Sequence, residues 1–154
     1  MTEQPTPTEY ERIAQLGPVC FCNNLRRAAR LVTNYYDKLF EPTGLRVSQV
    51  TILAVLCRAG TQTINEMAEI LELDRTTLSR NLKPLARQDL LTLAPGADQR
   101  TRVVSLTPEG EAVLLKALPI WEQAQADMVE GIGEANADLL LAQLAEAATL
   151  AQSN

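Results

Sequence analysis

Between Thr63 and Gln88 the chain sets two helix-start signals so close together that few supersecondary units accommodate them. Thr63 and Glu66 spell a T-x-x-E capping box, in which the hydroxyl and the carboxylate each accept a backbone N–H left unpaired by the first helical turn. Behind it, Ile64, Met67, Ala68 and Leu71 share one face of a short helix ending near Glu72. After Leu73, Asp74 caps a second helix from Arg75 to about Gln88. This helix turns Leu78, Leu82 and Leu85 inward and leaves Thr76, Thr77, Ser79, Arg80, Asn81 and Lys83 largely outside. Two helices joined by so short a link read as a helix-turn-helix. Pro84, well inside the second helix, removes the bond to the Arg80 carbonyl and predicts a kink or an end to regular helix there.

The flanks extend this unit. Residues 1–8, with Pro5, Pro7 and three threonines, read as a flexible tail. From Cys22, apolar positions Leu25, Ala28, Ala29, Val32, Tyr36 and Leu39 predict a long amphipathic helix with Arg26, Arg27 and Arg30 on its polar face, ended by Pro42 and Gly44. Ser48 is placed to cap a mostly buried helix through Ile52, Leu53, Val55 and Leu56, closed at Gly60. Residues 91–93 and 102–106 are β-favouring runs around a polar 95–101 segment, which makes a hairpin with a basic tip. Thr107 and Pro108 then start a helix through Leu114, Leu118, Trp121 and Met128 that Gly131 and Gly133 break, and an Ala- and Leu-rich helix covers about 135–151. The order predicts a mainly α fold with a small β-wing: a winged helix-turn-helix flanked by terminal helices. Its parts are the tail (1–8), an N-terminal helical part of a dimerisation region (9–46), a DNA-binding lobe (47–107) and C-terminal dimerisation helices (108–154).

Charge sharpens the functional expectation. The 154 residues carry a net charge of −5, which taken whole argues against a general nucleic-acid coater. Yet residues 74–102 hold six cations against three carboxylates, a local +3, leaving −8 over the remainder. A basic edge on an acidic body favours a polyanionic duplex through counterion release while reducing unspecific adhesion. Histidine is absent, which removes imidazole bases, histidine-containing triads and histidine zinc sites. No phosphate-binding glycine loop appears, so no enzyme is expected and no cofactor is required. Three cysteines are too few for a disulfide framework, the N-terminus has no signal-peptide pattern, and no apolar run approaches the ~20 residues that cross a bilayer. The expected setting is the cytoplasm, without a membrane partner.

Side-chain chemistry assigns provisional roles. Thr76, Thr77, Ser79, Arg80 and Asn81, near the start of the second helix, suit base readout in a major groove, where Arg forks onto guanine and Asn onto adenine. Arg75 and Lys83 suit phosphates, as does Thr63 at a helix N-terminus. Arg100 at the wing tip is placed for the minor groove with Asp98 holding its guanidinium, and Arg102 for the backbone or the turn. The competing reading is a winged-helix module that binds protein instead of DNA.

The run 64–85, then Leu90-Leu91, the D-x-R wing of Asp98 and Arg100, and Leu106-Thr107-Pro108-Glu109-Gly110 resemble the MarR family of transcriptional regulators over about residues 20–150. The resemblance implies a homodimer with interlocked terminal helices, paired wings on an inverted-repeat double-stranded operator, repression, and an effector pocket between the dimer helices and the DNA-binding lobe. The apolar content of the terminal helices independently calls for a second copy. Leu16, Val19, Leu114, Leu118, Trp121, Leu139, Leu144 and Leu150 are seam candidates, with intrachain core as the alternative. Two inputs stay open. Cys20 and Cys22 are candidates for sensing an oxidant, an electrophile or a thiophilic metal, or are simply small buried residues; residues two apart in a helix diverge, so a direct clamp needs a non-helical start. Tyr35, Tyr36, Phe40 and Trp121 are candidates for a pocket taking a small-molecule effector such as a phenol, or are core aromatics. Cys57, inside an apolar helix, reads as a buried structural thiol.

Overall fold

The computed structural model describes residues 6–98 and 101–153. Among the described residues, seven helices and three short strands follow in the order α1 (Pro7–Val19), α2 (Phe21–Phe40), α3 (Val47–Ala59), β1 (Gln62–Thr63), α4 (Ile64–Ile70), α5 (Arg75–Arg87), β2 (Leu91–Pro95), β3 (Arg102–Leu106), α6 (Pro108–Ile132) and α7 (Glu134–Gln152), with a 3-10 turn at Glu41–Thr43. The sheet is antiparallel with β3 in the centre: β2 pairs Leu91 with Leu106 through Pro95 with Arg102, and β1 pairs Gln62 with Val104 on the other side. The mainly α fold with a β-wing is thus present, with a third strand added to the hairpin.

Local chemistry explains most boundaries. Thr63 and Glu66 form both halves of the capping box, with Glu66 Oε2 accepting the Thr63 N–H at 2.7 Å and Thr63 Oγ1 accepting the Glu66 N–H at 3.2 Å. Asp74 Oδ1 accepts the N–H groups of Thr76 and Thr77, both at 2.9 Å. Thr107 starts α6, and Gly44, at φ 71°, ends the 3-10 turn. Three expected boundaries move. The tail gives way to helix at Pro7, because Thr6 and Glu9 make a further capping box; residues 1–5 of that segment lie outside the described residues. Ser48 does not cap α3, which begins one residue earlier: Gln49 Oε1 accepts the Arg46 N–H at 2.9 Å and Asp37 Oδ1 accepts the Val47 N–H at 2.8 Å. Gly131 lies within α6, which ends only where Gly133 takes φ 87°.

Pro84 neither ends nor interrupts α5, which stays helical to Arg87. It sits in the last turn, so the lost bond touches little of the helix, and Leu82 and Leu85 on either side are sealed in the core. That core joins Phe40, Ile52, Leu53, Leu56, Met67, Leu78, Leu82, Leu85, Leu91 and Val104, and among the described residues the Tyr36 phenol is the one polar group on a buried side chain. The start of α6 closes tightly against the end of the reading unit. Thr107 Oγ1 donates to the Asp89 carbonyl at 2.6 Å and accepts the Gly110 N–H at 3.0 Å, and a Cβ on Gly110 would stand 2.0 Å from the Leu90 carbonyl oxygen. Among the described residues, no helix is long and apolar enough to cross a membrane.

Candidate nucleic-acid interface

Three elements meet at one polar recess. Thr63, Ile64 and Asn65 at the start of α4, Arg75 at the start of α5, and Thr101 and Arg102 at the base of the wing line a cavity of about 180 Å³. Arg75 and Arg102, 27 positions apart in sequence, thus bring two exposed guanidinium groups to its rim. The antiparallel register makes this possible, since Thr63 pairs with Val103, beside Arg102. Sequence pattern alone does not mark Asn65 or Thr101 as site residues; only Asn65 carries a local signal, two residues past a helix cap.

On α5, Arg75, Thr76, Arg80 and Lys83 are exposed, while Thr77, Ser79 and Asn81 are half-buried. Thr77 is committed to the cap, its hydroxyl donating to Asp74 Oδ2 at 2.6 Å. This bond, the N–H groups of Thr77 and Thr76 and the charge of Arg80 hold the Asp74 carboxyl below its ordinary range. Thr63 is likewise occupied by its cap: its own N–H goes to Glu66, whose carboxyl is lowered by that bond. In the wing, the Thr101 N–H and hydroxyl both donate to the Asp98 carbonyl at 2.8 Å, and the Gly96 N–H donates to the Thr101 carbonyl at 2.9 Å, which ties the two strand ends together. Asp98 is exposed, and Arg100 lies outside the described residues.

The candidate sensing residues are spread over separate places. Cys20 forms the break between α1 and α2 in extended backbone (φ −72°, ψ 115°), half-buried, and Cys22 is exposed in the first turn of α2. Of the two, Cys20 alone has non-helical backbone, since Cys22 already lies inside α2. Among the described residues no group of three or more Cys, Asp or Glu is arranged to hold a metal ion. Tyr36 and Phe40 are core residues, and Tyr35 packs edge-on against Tyr36. The Tyr36 hydroxyl donates to Gln125 Oε1 at 2.6 Å, and Tyr35 donates to Asp127 Oδ2 in a short hydrogen bond, so the tyrosines pin α2 to α6. The Tyr35 bond raises the phenol and, with Gln123, lowers the Asp127 carboxyl. Trp121 lies apart from them, on the wall of an apolar cavity between α3 and α6. Cys57, expected to be buried, is exposed on the same wall, because α3 turns Ile52, Leu53 and Leu56 to the core and the opposite stripe away from it. Of the seam candidates, Leu114 packs against the core, while Leu16, Val19, Leu118, Leu139 and Leu150 stand exposed.

A family model described as MarR family matches residues 43–101. The organic hydroperoxide resistance transcriptional regulator of Bacillus subtilis (strain 168) is 32% identical over 113 residues, which span 73% of this chain and 76% of that protein. The Mycobacterium tuberculosis transcriptional regulator MosR, solved in complex with DNA, is 38% identical with a TM-score of 0.71, the match covering 84% of this chain and 98% of that one. The repressor CouR bound to a 23-mer DNA duplex shares the fold at a TM-score of 0.77 with 23% identity, covering 96% of this chain and 99% of that one.

Proposed function

The chain belongs to the MarR family as a DNA-binding transcriptional regulator, and from that premise we propose that it is a homodimeric repressor of an inverted-repeat operator, released by a chemical signal. The observation that carries the reading is the recess that unites Arg75 of α5 with Arg102 of the wing beside the exposed face of α5. Arg80 and Asn81 read base edges, with Thr76 and Ser79 beside them. Arg75, Lys83 and Arg102 take phosphates, and Arg100, supported by Asp98, takes the minor groove. Thr63 and Thr77 act mainly through the caps that set the two helix ends, since their polar groups are already engaged. The exposed apolar residues of α1, α6 and α7 form the seam with the second copy.

The signal read at Cys20 and Cys22 is oxidative. Their support is position: a thiol at a helix break and another in the next turn, within a chain related to a regulator named for organic hydroperoxide resistance. A hydroperoxide would take two electrons and two protons from the pair, giving a disulfide, an alcohol and water. The test is titration of a short inverted-repeat duplex at several salt concentrations. Steep salt dependence is expected, with binding weakened by Arg80→Ala and Arg75→Ala; binding that ignores salt and both substitutions overturns the DNA reading in favour of a protein-binding module. Cys20→Ser/Cys22→Ser dimers that still release the duplex in hydroperoxide overturn the thiol assignment.

A further inference from the structure

Helices α4 and α5 end in the same way. The Leu73 N–H donates to the Ala68 carbonyl at 2.9 Å and the Glu72 N–H to the Glu69 carbonyl at 3.2 Å; the Leu90 N–H donates to the Leu85 carbonyl at 3.0 Å and the Asp89 N–H to the Ala86 carbonyl at 3.2 Å. Each pair of bonds is a Schellman closure, whose left-handed position is usually glycine because a β-carbon is disfavoured there. Here Glu72 (φ 51°) and Asp89 (φ 57°) occupy it, and among the described residues they are the only non-glycines with positive φ. The two turns frame α5, and each is held by one of the two helices that meet at Gly133. The Asp89 carbonyl accepts the Thr107 hydroxyl at the start of α6. At the other turn, Gln152, the last residue of α7, donates its amide N–H to Glu72 Oε1 at 3.1 Å, across 80 positions of sequence. Any residue supplies the carbonyl used at Asp89, whereas glycine in place of Glu72 would have no group for Gln152.

We infer that Glu72 is a positioning residue for DNA binding: it stands at a glycine position because its carboxylate holds the last turn of α7, and this clasp with Gln152 sets the orientation of α5 relative to the terminal helices. Both side chains are exposed, so the bond adds little to folding, and its loss leaves the lobe intact while freeing the turn in front of the reading helix. Neither residue needs to touch the duplex. The inference rests on the DNA-binding reading for its effect on affinity; the contact itself does not.

The experiment compares the full chain with Glu72→Gly, Glu72→Gln, Gln152→Ala and the double variant Glu72→Gly/Gln152→Ala in urea melts, duplex titration and hydrogen exchange. Glu72→Gly should leave the urea midpoint unchanged or higher, since glycine adopts left-handed backbone without strain, yet weaken duplex binding about fivefold at an unchanged salt slope. Charge alone predicts the opposite, because that variant removes a carboxylate from a chain that binds a polyanion. Gln152→Ala should match the loss, the double variant should lose no more than either single one, and Glu72→Gln, which keeps the accepting oxygen, should retain affinity. A lower urea midpoint in Glu72→Gly, unchanged or tighter binding by it, additive losses in the double variant, or an equal loss in Glu72→Gln overturns the inference. Without DNA, exchange over residues 149–153 should quicken in Glu72→Gly and stay as it is in Glu72→Gln; equal exchange in all chains overturns the clasp itself. Failure of the unmodified chain to bind any duplex would fell the DNA reading and leave the exchange result to decide the contact.

Discussion

Leu53, Leu56, Leu78, Leu82 and Leu85 in the winged lobe are sealed from solvent, whereas Leu16, Leu139, Leu141 and Leu150 on α1 and α7 stand 55–65% exposed. Both sets recur at helical spacing. In the lobe, apolar residues of α3, α4, α5, β2 and β3 join Phe40 in one buried cluster. Helix α1 buries no residue and α7 only Ala137. Helical periodicity thus says that a face must be covered without saying by which chain: the lobe answers from within, and the exposed stripes of α1 and α7 are what the proposed second copy would cover.

The largest effects should fall within α6, where two glycines embody the contrast. Gly110→Ala drives a Cβ into the Leu90 carbonyl and should destabilise the lobe by about 3 kcal/mol or more in urea melts. Gly131→Ala meets nothing within 4 Å and should be neutral or stabilising by up to about 1 kcal/mol. Equal losses from both would sink the claim that backbone contact, rather than helix propensity, governs Gly110. Leu53→Ala should cost about 3 kcal/mol, while Leu16→Glu with Leu141→Glu should leave the lobe's melting intact and convert the dimer to monomer in sedimentation. A double variant that sediments as a dimer would remove α1 and α7 from the seam. Smaller still, Arg75→Ala should weaken duplex binding and reduce the slope of log affinity against log salt by about 1, the value for one lost phosphate contact.

The smallest effect is set by pH. The folded Asp127 and Asp74 carboxyls are lowered, so their contribution is full above the unfolded carboxyl range and fades as pH falls through the folded values. The Tyr35 phenol is raised, so its contribution is full below the ordinary tyrosine value and fades as pH rises through the higher folded one. The bond between α2 and α6 should accordingly hold across the neutral range and loosen at both extremes, with Tyr35→Phe flattening both limbs of a stability–pH profile. An unaltered alkaline limb in that variant would assign the loss to another group.

What could be read in advance follows the range of the interactions. The caps at Thr63, Asp74 and Thr107 act within three residues, so the reading unit was legible down to its helix starts. The same motif at Thr6 and Glu9 is obscured in the sequence by Pro5 and Pro7, which read as a tail, though proline is welcome in a first helical turn. Strand β1 has only two residues and depends wholly on a partner about forty positions away, so no local pattern reveals it. Cys57 shows the same limit, since an apolar helix does not announce which stripe meets the core and which an open cavity. The recess between Arg75 and Arg102 likewise depends on strand register, which the sequence does not print.

The contact of Thr107 and Gly110 with Asp89 and Leu90 has a mechanical consequence. Helix α6 runs 25 residues from that contact, about 37 Å at the helical rise. With hydrogen bonds on one side and no room for a methyl group on the other, its near end has little slack against Asp89 and Leu90. A shift of the first turns of α6 is therefore expected to carry Leu90, and through it the end of α5, while Pro119 in mid-helix, which cannot bond the Leu115 carbonyl, governs how much of a displacement at the far end arrives there.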